Sequence, residues 1–313
     1  MTAISQPIVG HTPVMVQEVL RALAVQPGGL YVDCTVGGGG HAEAVLEAAS
    51  PGGLLLGIDA DPTALDLSRA RLARFGDAAL LVEGNFRDVA TICRAHGFAP
   101  VHGVLLDLGL SSLQLSDEAR GFSFQTEAPL DMRFSPQQSL TAADIVNTYP
   151  EQELAALLWR YGQERHSRAI ARRVVRERPL RTTVELARAV QKAVGQGRRF
   201  HIHPATRTFQ ALRIAVNAEL ENLTLALGQA RELLGYGGRL VVISYHSLED
   251  AIVKDFLRRE ARDCICPPDT PVCVCGHKAT LRPVTRGALR PHPAEVAINP
   301  RSRSARLRAA ERL

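Results

Sequence analysis

Three aspartates and a run of four glycines carry the clearest chemistry in this sequence. Asp33, Asp59 and Asp107 each close a short apolar run, and Gly37, Gly38, Gly39 and Gly40 stand between the first two. A carboxylate at the end of a buried parallel strand sits where open α/β sheets bind ligands. Its two oxygens can accept both hydroxyls of a ribose or pair with a cation. Glycine lacks a Cβ, so it adopts backbone angles closed to other residues and lets a ligand approach the main chain.

Gly37-x-Gly39-x-x-Ala42, with Asp59 further on, fits the loose dinucleotide fingerprint. That makes a nicotinamide-dependent dehydrogenase one reading. Asp33 argues against it, because a loop that receives a pyrophosphate gains nothing from a carboxylate just ahead of it. A ligand with a cationic end does gain. S-adenosylmethionine has an ammonium, a sulfonium and a ribose diol. The stretch Asp33-Cys34-Thr35-Val36-Gly37-Gly38-Gly39-Gly40 also resembles the loop of methyltransferases that act on exocyclic amino groups of DNA bases.

A second group of chemistry-bearing residues lies near the C-terminus. Cys264-x-Cys266 and Cys273-x-Cys275 are separated by a Pro-rich stretch. Four thiolates can hold zinc tetrahedrally, which admits a structural zinc. The C-x-C spacing is less diagnostic than C-x-x-C, so free thiols in a reducing compartment are the favoured reading. Cys34 and Cys93 read as small packing residues.

The chain of 313 residues is long enough for one large domain or two smaller ones. It has no apolar run of membrane-spanning length and no secretory pattern at its start, so a cytoplasmic protein without membrane contact is expected. Charge is uneven. From Arg160 to Arg213 there are 14 Arg and Lys against 3 Glu, although the whole chain is only +5. Such a local excess is the electrostatic footprint of a polyanion-binding surface, here a nucleic acid.

The elements that must position these groups follow from periodicity. Thr12-Pro13 reads as an N-cap and first helical residue, with Val16, Val19, Leu20 and Leu23 on one stripe. Strands are expected at 30–34, 54–58, 79–82 and 103–106, with helices at 41–49 and from Asp61-Pro62 to about 74. This alternation predicts an α/β fold with a doubly wound parallel sheet. It then stops. Residues 121–136 read as irregular, and helices are expected near 141–148, 151–161, 167–177 and 183–194, the last opened by a Thr182-to-Glu185 capping box. Pro204 begins another helix running through Glu219. The sheet resumes at 239–244, a helix covers 248–260, and short strands lie near 281–285 and 305–311. The expected domains are therefore 1–112 with 218–313, and an all-helical insertion over 113–217 that holds the basic cluster.

Several longer motifs carry a more specific resemblance. They are His11-Thr12-Pro13-Val14, Asp107-Leu108-Gly109-Leu110-Ser111-Ser112, Gly121-Phe122-Ser123-Phe124, Pro129 to Arg133, His203 to Arg213, Ser244 to Asp250, and Asn299 to Ser304. Together, and in this order, they resemble the RsmH or MraW family, the bacterial small-subunit ribosomal RNA (cytosine-N4)-methyltransferases. The resemblance spans nearly the whole chain. It implies a Rossmann-type methyltransferase domain with a helical insertion, S-adenosylmethionine as donor, and a cytidine N4 amine in the decoding region of 16S rRNA as acceptor, within the small subunit or an assembly intermediate. By the same resemblance the donor contacts fall on Gly39, Gly40 and His41, on Asp59 at the ribose, on Phe86 by the adenine, and on Asp107 and Gln114. From the residues alone, His41 also reads as a helix-start residue and Phe86 as a core aromatic, which base rates slightly favour. Asp33 faces the donor's cationic end.

The DNA amino-methyltransferases have a proline-rich acceptor loop where this chain has Asp107-Leu108-Gly109-Leu110, so their mechanism does not transfer directly. Asp107, or a backbone carbonyl next to it, is the first candidate to accept the N4 hydrogen, and His246 the second. Phe122, Phe124 or Tyr245 could hold an unstacked base, although packing is the favoured reading for each. Arg165, Arg168, Arg172, Arg207 and Arg213 are expected to bind RNA phosphates, which position without reading sequence. A non-catalytic RNA-binding ribosome-assembly factor that keeps the donor pocket is the competing class.

Overall fold

The computed structural model describes residues 13–110, 114–115, 117, 119–195 and 202–313. The cap at Thr12, the motif residues His11, Ser111 and Ser112, and the expected 112/113 domain boundary lie outside the described residues. Two compact units form. One takes the chain up to Gly109 and again from Asn222 to Leu313, and the other is Leu110–Glu221.

The first unit is built on seven strands: β1 (Leu30–Asp33), β2 (Leu54–Asp59), β3 (Ala79–Glu83), β4 (Val101–Asp107), β5 (Leu234–Ser244), β6 (Leu281–Pro283) and β7 (Arg306–Arg312). Their order is β3-β2-β1-β4-β5-β7-β6. The first five are parallel, while β7 runs antiparallel to both β5 and β6. The sheet is thus mixed rather than wholly parallel.

Alternation along each strand explains why both faces are covered. Val32, Leu56, Ile58, Val104, Leu106, Leu240 and Val242 enter one core. Their neighbours Tyr31, Leu55, Leu105, Val241 and Ile243 enter the other. Side chains one residue apart in a strand point to opposite faces, so a continuous apolar run needs helices on both sides. Helices α1 (Val16–Leu23), α2 (Gly40–Ala48) and α3 (Pro62–Leu72) cover the second face. Helices α4 (Val89–Ala95) and, later in the chain, α10 (Glu219–Leu233) and α11 (Ser247–Glu260) supply Val89, Leu223, Leu227 and Val253 to the first.

Helix α1 begins at Val16, later than the Thr12-Pro13 signal suggested. Met15 is left-handed (φ 56°), and its N–H is taken by Glu295 Oε1 at 2.8 Å. A carboxylate 280 residues away fixes the helix start.

The second unit holds α5 (Ala142–Thr148), α6 (Glu151–Gly162), α7 (Ser167–Arg176), α8 (Thr183–Val194) and α9 (Ala205–Asn217) around its own core, with Leu154, Leu158, Ile170, Val174, Leu186 and Leu212 at its centre. Reciprocal caps at Thr141/Asp144 and Thr182/Glu185 open α5 and α8. The helix expected to run from Pro204 through Glu219 is two helices, broken at Ala218, which is left-handed (φ 48°). Asn217 fixes the break by donating to Met132 O and Arg213 O. Short α12 (Pro293–Ile298) belongs to the first unit. Among the described residues, no helix is long and apolar enough to cross a membrane.

Candidate active site

The sheet order reverses between β1 and β4, so these adjacent strands mark the topological switch point where open α/β sheets bind ligands. Asp33 ends one and Asp107 the other. Thr35 ties them together. Asp33 Oδ1 accepts its N–H at 3.1 Å, while its Oγ1 accepts the Asp107 N–H at 2.7 Å. Asp59, ending β2, accepts the N–H groups of Gly37 and Asp61, both at 2.9 Å. The glycine loop is therefore anchored to the next strand by a carboxylate, and Ser68 Oγ donates to Gly37 O at 2.6 Å.

Two glycines in the loop have a visible reason. Gly39 is left-handed (φ 78°), the N-cap of α2, and has no side-chain cap. The N–H groups at a helix start lack intrahelical partners, so they face outward for a ligand. At Gly40 a Cβ would come within 2.9 Å of the Pro13 ring and 3.0 Å of Arg71.

The electrostatics are those of a site prepared for positive charge. Asp33 is 2% exposed, and burial lifts its pKa to about 6 against the lowering effects of His41 and the Thr35 N–H. Burial also lifts Asp59 to about 6, partly offset by its backbone donors. His41 is buried, with Nε2 3.3 Å from Asp107 Oδ2. Neither ring nitrogen makes an aligned hydrogen bond, so the contact is electrostatic and becomes an ion pair when the ring is protonated. Burial alone would depress this imidazole, but the Asp107 carboxylate outweighs it and the pKa is raised. Tyr245, which follows β5, donates its hydroxyl to Asp107 Oδ1 at 2.9 Å. Burial first, and then the Asp107 charge, raises the pKa of that phenol strongly.

Asp33, Gly39, Gly40, His41, Asp59 and Asp107 thus gather at one end of the sheet. Phe86, in the turn after β3, is half-buried and packs against the first core, so its ring serves the fold as well. Gln114 is buried and belongs to the helical unit. His246 is the N-cap of α11. Its Nδ1 accepts the Glu249 N–H, and its Nε2 lies 3.1 Å from Glu249 Oε1. That ring is therefore occupied with capping. Thr35, Ser68 and the Asp107 partnership of Tyr245 were missed by sequence reasoning, because each depends on a strand or helix distant in the chain.

In the helical unit, Arg165, Arg168 and Arg172 are exposed, with Arg172 loosely paired to Glu151 at 3.5 Å. Trp159 is 60% exposed. It lines two concave surfaces, one shared with Arg165, Arg168 and Arg172, the other with Arg160, Arg165 and Arg207. Sequence reasoning missed this tryptophan, although its signal was present: it stands one residue off the buried Leu154/Leu158 stripe of α6. Arg213 is a correction. Its guanidinium makes a two-pronged bridge to Glu219 at 2.8 and 2.9 Å with 12% side-chain exposure, so it holds the α9–α10 break rather than facing a phosphate. Phe122 is buried against Phe134, and Phe124 stacks on His203 at 4.4 Å and edges onto Phe209. Both are packing residues, not base holders.

A doubly wound sheet with a glycine loop and three strand-end carboxylates is a Rossmann-type architecture. The model of the MraW methylase family matches residues 8–313. Ribosomal RNA small subunit methyltransferase H of Dehalococcoides mccartyi strain BAV1 is 59% identical over 97% of this chain and 86% of its own length. The protein of the same name from Thermomicrobium roseum is 56% identical over 97% of this chain and 94% of its own length. The chain belongs to the MraW methylase family and is a methyltransferase, which sets aside the dehydrogenase reading.

Proposed function

We propose that the protein methylates the N4 amine of a cytidine in the decoding region of 16S rRNA, with S-adenosylmethionine as donor. The observation that carries the donor is Asp33. It is a fully buried carboxylate at the switch point whose charge is only partly met by His41. Burying a charge is costly unless it is paired, and an ammonium or sulfonium beside it supplies the missing partner. Asp59, with two oxygens at the end of β2, suits the ribose diol while it holds Gly37. The curated relatives, named for small-subunit ribosomal RNA, support an rRNA acceptor, and the cytidine N4 is our own assignment within it. The setting is accordingly the cytoplasm, where ribosomes are assembled.

When bound, the donor supplies an electrophilic methyl group on a sulfonium, which leaves as a neutral thioether. The N4 amine is a weak nucleophile because its lone pair is conjugated into the ring. Placement in line with the methyl is therefore the main contribution of the protein. Asp107 is assigned as acceptor of the N4 hydrogen as the new C–N bond forms. Tyr245 and His41 hold one oxygen each of this carboxylate, so its orientation is fixed before the base arrives. Trp159 and the arginines around it, with Arg207, are assigned to the RNA. The guanidinium groups contact phosphates and the indole stacks on an unpaired base.

The test is direct. Purified protein, labelled donor and small subunits from a strain lacking the enzyme are incubated, and the 16S rRNA is digested to nucleosides for mass spectrometry. N4-methylcytidine is the expected product. Label in any other nucleoside, or none on small subunits and naked 16S rRNA alike, would sink the proposal.

A further inference from the structure

The loop between α11 and β6 is built unlike the rest of the first unit. From Ala261 to Thr280 no residue is buried. Val272 and Val274 are 73% and 82% exposed. Three prolines, Pro267, Pro268 and Pro271, break up any regular ladder. The base of the loop is tied by Thr280 N–H to Glu260 O and by Ala279 N–H to Asp263 Oδ1. Beyond that base it has no buried apolar residue to define its course.

At its centre the four cysteines converge. The Sγ atoms of Cys264, Cys266, Cys273 and Cys275 all lie within 4.8 Å of one another. Cys273 Sγ and Cys275 Sγ are 3.6 Å apart, and Cys275 Sγ and Cys264 Sγ 3.8 Å. Zinc–thiolate bonds of about 2.3 Å at tetrahedral angles place neighbouring sulfurs about 3.8 Å apart. The sulfur separations therefore suit one zinc–thiolate site. Backbone donors also face them: Cys266 N–H donates to Cys264 Sγ and Ile265 N–H to Cys275 Sγ, both at 3.4 Å. Such donors stabilise thiolate charge and orient a ligand, the task of the outer shell in metal sites. His277 is not a fifth candidate, because its Nε2 is 3.2 Å from Arg259 O at the base of the loop.

We propose that Cys264, Cys266, Cys273 and Cys275 bind one structural zinc ion. Four clustered sulfur donors select zinc or iron–sulfur chemistry over hard cations. A complete set of four protein ligands leaves no open position, which makes the site structural rather than catalytic. The thiols lose their protons to solvent on binding, and the metal replaces the apolar core that this loop lacks. The spacing C-x-C twice over serves here because the two pairs meet across the loop, with Cys264 and Cys275 at its two ends brought sulfur to sulfur. The site stands independently of which nucleotide the enzyme methylates.

Full-length protein purified without chelator should contain one zinc per chain by plasma mass spectrometry. Replacement by cobalt(II) should give the intense thiolate-to-metal absorption and visible ligand-field bands of a tetrahedral sulfur site. A Cys264→Ser/Cys275→Ser double variant should lose the metal and become sensitive to protease between Glu260 and Leu281, while S-adenosylmethionine binding stays within about twofold. Stoichiometric iron in place of zinc would overturn the proposal. So would zinc retained by the double variant, or no metal together with a cobalt titration of the wild-type protein that gives no thiolate band. The cobalt spectrum is read on the unaltered chain, so the outcome does not depend on the variant folding.

Discussion

The two units hold their charged groups in opposite ways. In the sheet unit the acids of the site are largely withdrawn from water and committed to protein partners. Asp33 is buried beside Thr35, Asp59 clamps the glycine loop, and Asp107 has a partner on each oxygen. In the helical unit Arg168 and Arg172 of α7 stand in solvent, Arg172 with only a loose partner, and the exposed Trp159 lies among them. On the proposed function, the difference follows from what each unit recognises. A small ligand makes few contacts, so each must be strong and fixed in advance, and low dielectric strengthens it. A polyanion makes many contacts, and each phosphate neutralised releases counterions whatever the sequence. Burying those guanidinium groups would forfeit that gain.

The comparison is most exposed to a change at Asp107. Asp107→Asn keeps the shape of the side chain but removes its charge and half its accepting capacity. Turnover should fall by a factor of about 10²–10⁴, the usual worth of a positioned proton acceptor. Affinity for small subunits should change little. Single-turnover rates with donor and RNA both saturating separate the two effects. Full-rate methyl transfer would remove Asp107 from the chemistry and leave it a structural link between β4 and Tyr245.

A pH series tests the buried acids next. Asp33 and Asp59 have folded pKa values of about 6, above the unfolded value near 4. A raised acid favours the protonated folded state. The stability it contributes is therefore fully present below about pH 4 and is lost as pH rises through about 6, with the free protein less stable above that point. A bound cation reverses the balance, because it needs the ionised carboxylate. Donor affinity should therefore weaken as pH falls below about 6, by up to about tenfold per pH unit for Asp33, the carboxylate assigned to the cationic end. Calorimetry of donor binding at about pH 5, 6 and 7.5 reads this directly. A flat dissociation constant would mean that Asp33 does not face the ligand's charge.

On the helical side the effects should be smaller and should appear in KM rather than kcat. Trp159→Ala should raise KM for the RNA substrate on the order of tenfold, the worth of one stacked base, with an unchanged salt slope. Arg168→Gln with Arg172→Gln should raise it less at low salt, but should reduce the slope of log KM against log salt by about 0.7 for each phosphate the variant no longer neutralises. If the tryptophan variant altered the salt slope, or the arginine pair altered kcat, the division of labour between the two kinds of residue would fail.

What could be read in advance divides along a related line. The strand ends Asp33, Asp59 and Asp107 were visible because alternating apolar runs and their termini are local signals. The Thr182-to-Glu185 box was visible for the same reason: both halves of the motif lie within one turn. The start of α1 was not, because Glu295 takes the Met15 N–H from the far end of the chain. Nor was the break at Ala218, where neither glycine nor proline marks the turn and the Asn217 amide imposes it. Arg213 looked like any other arginine of the basic segment, and only Glu219 beside it reveals a structural role. Antiparallel β7 was also hidden, since a strand's sequence does not state its direction.

The smallest effect concerns how the helical unit is kept rigid enough to present its surface. Thr182 Oγ1 accepts the Glu185 N–H at 3.3 Å, and Glu185 Oε2 accepts the N–H groups of Thr182 and Arg181 at 3.1 and 2.6 Å. Thr182→Ala removes one arm of this box and should cost about 1 kcal/mol, the usual value of an N-cap. The unit has its own core, so the effect should be local. Hydrogen exchange should quicken in the first turn of α8 and stay unchanged in β1, β2 and β4. Donor affinity should hold, and KM for RNA should rise only slightly. Faster exchange spread equally through the sheet would show that the two units unfold as one. The contrast between a fixed donor site and an open polyanion surface would then describe charge placement alone and not separate stability.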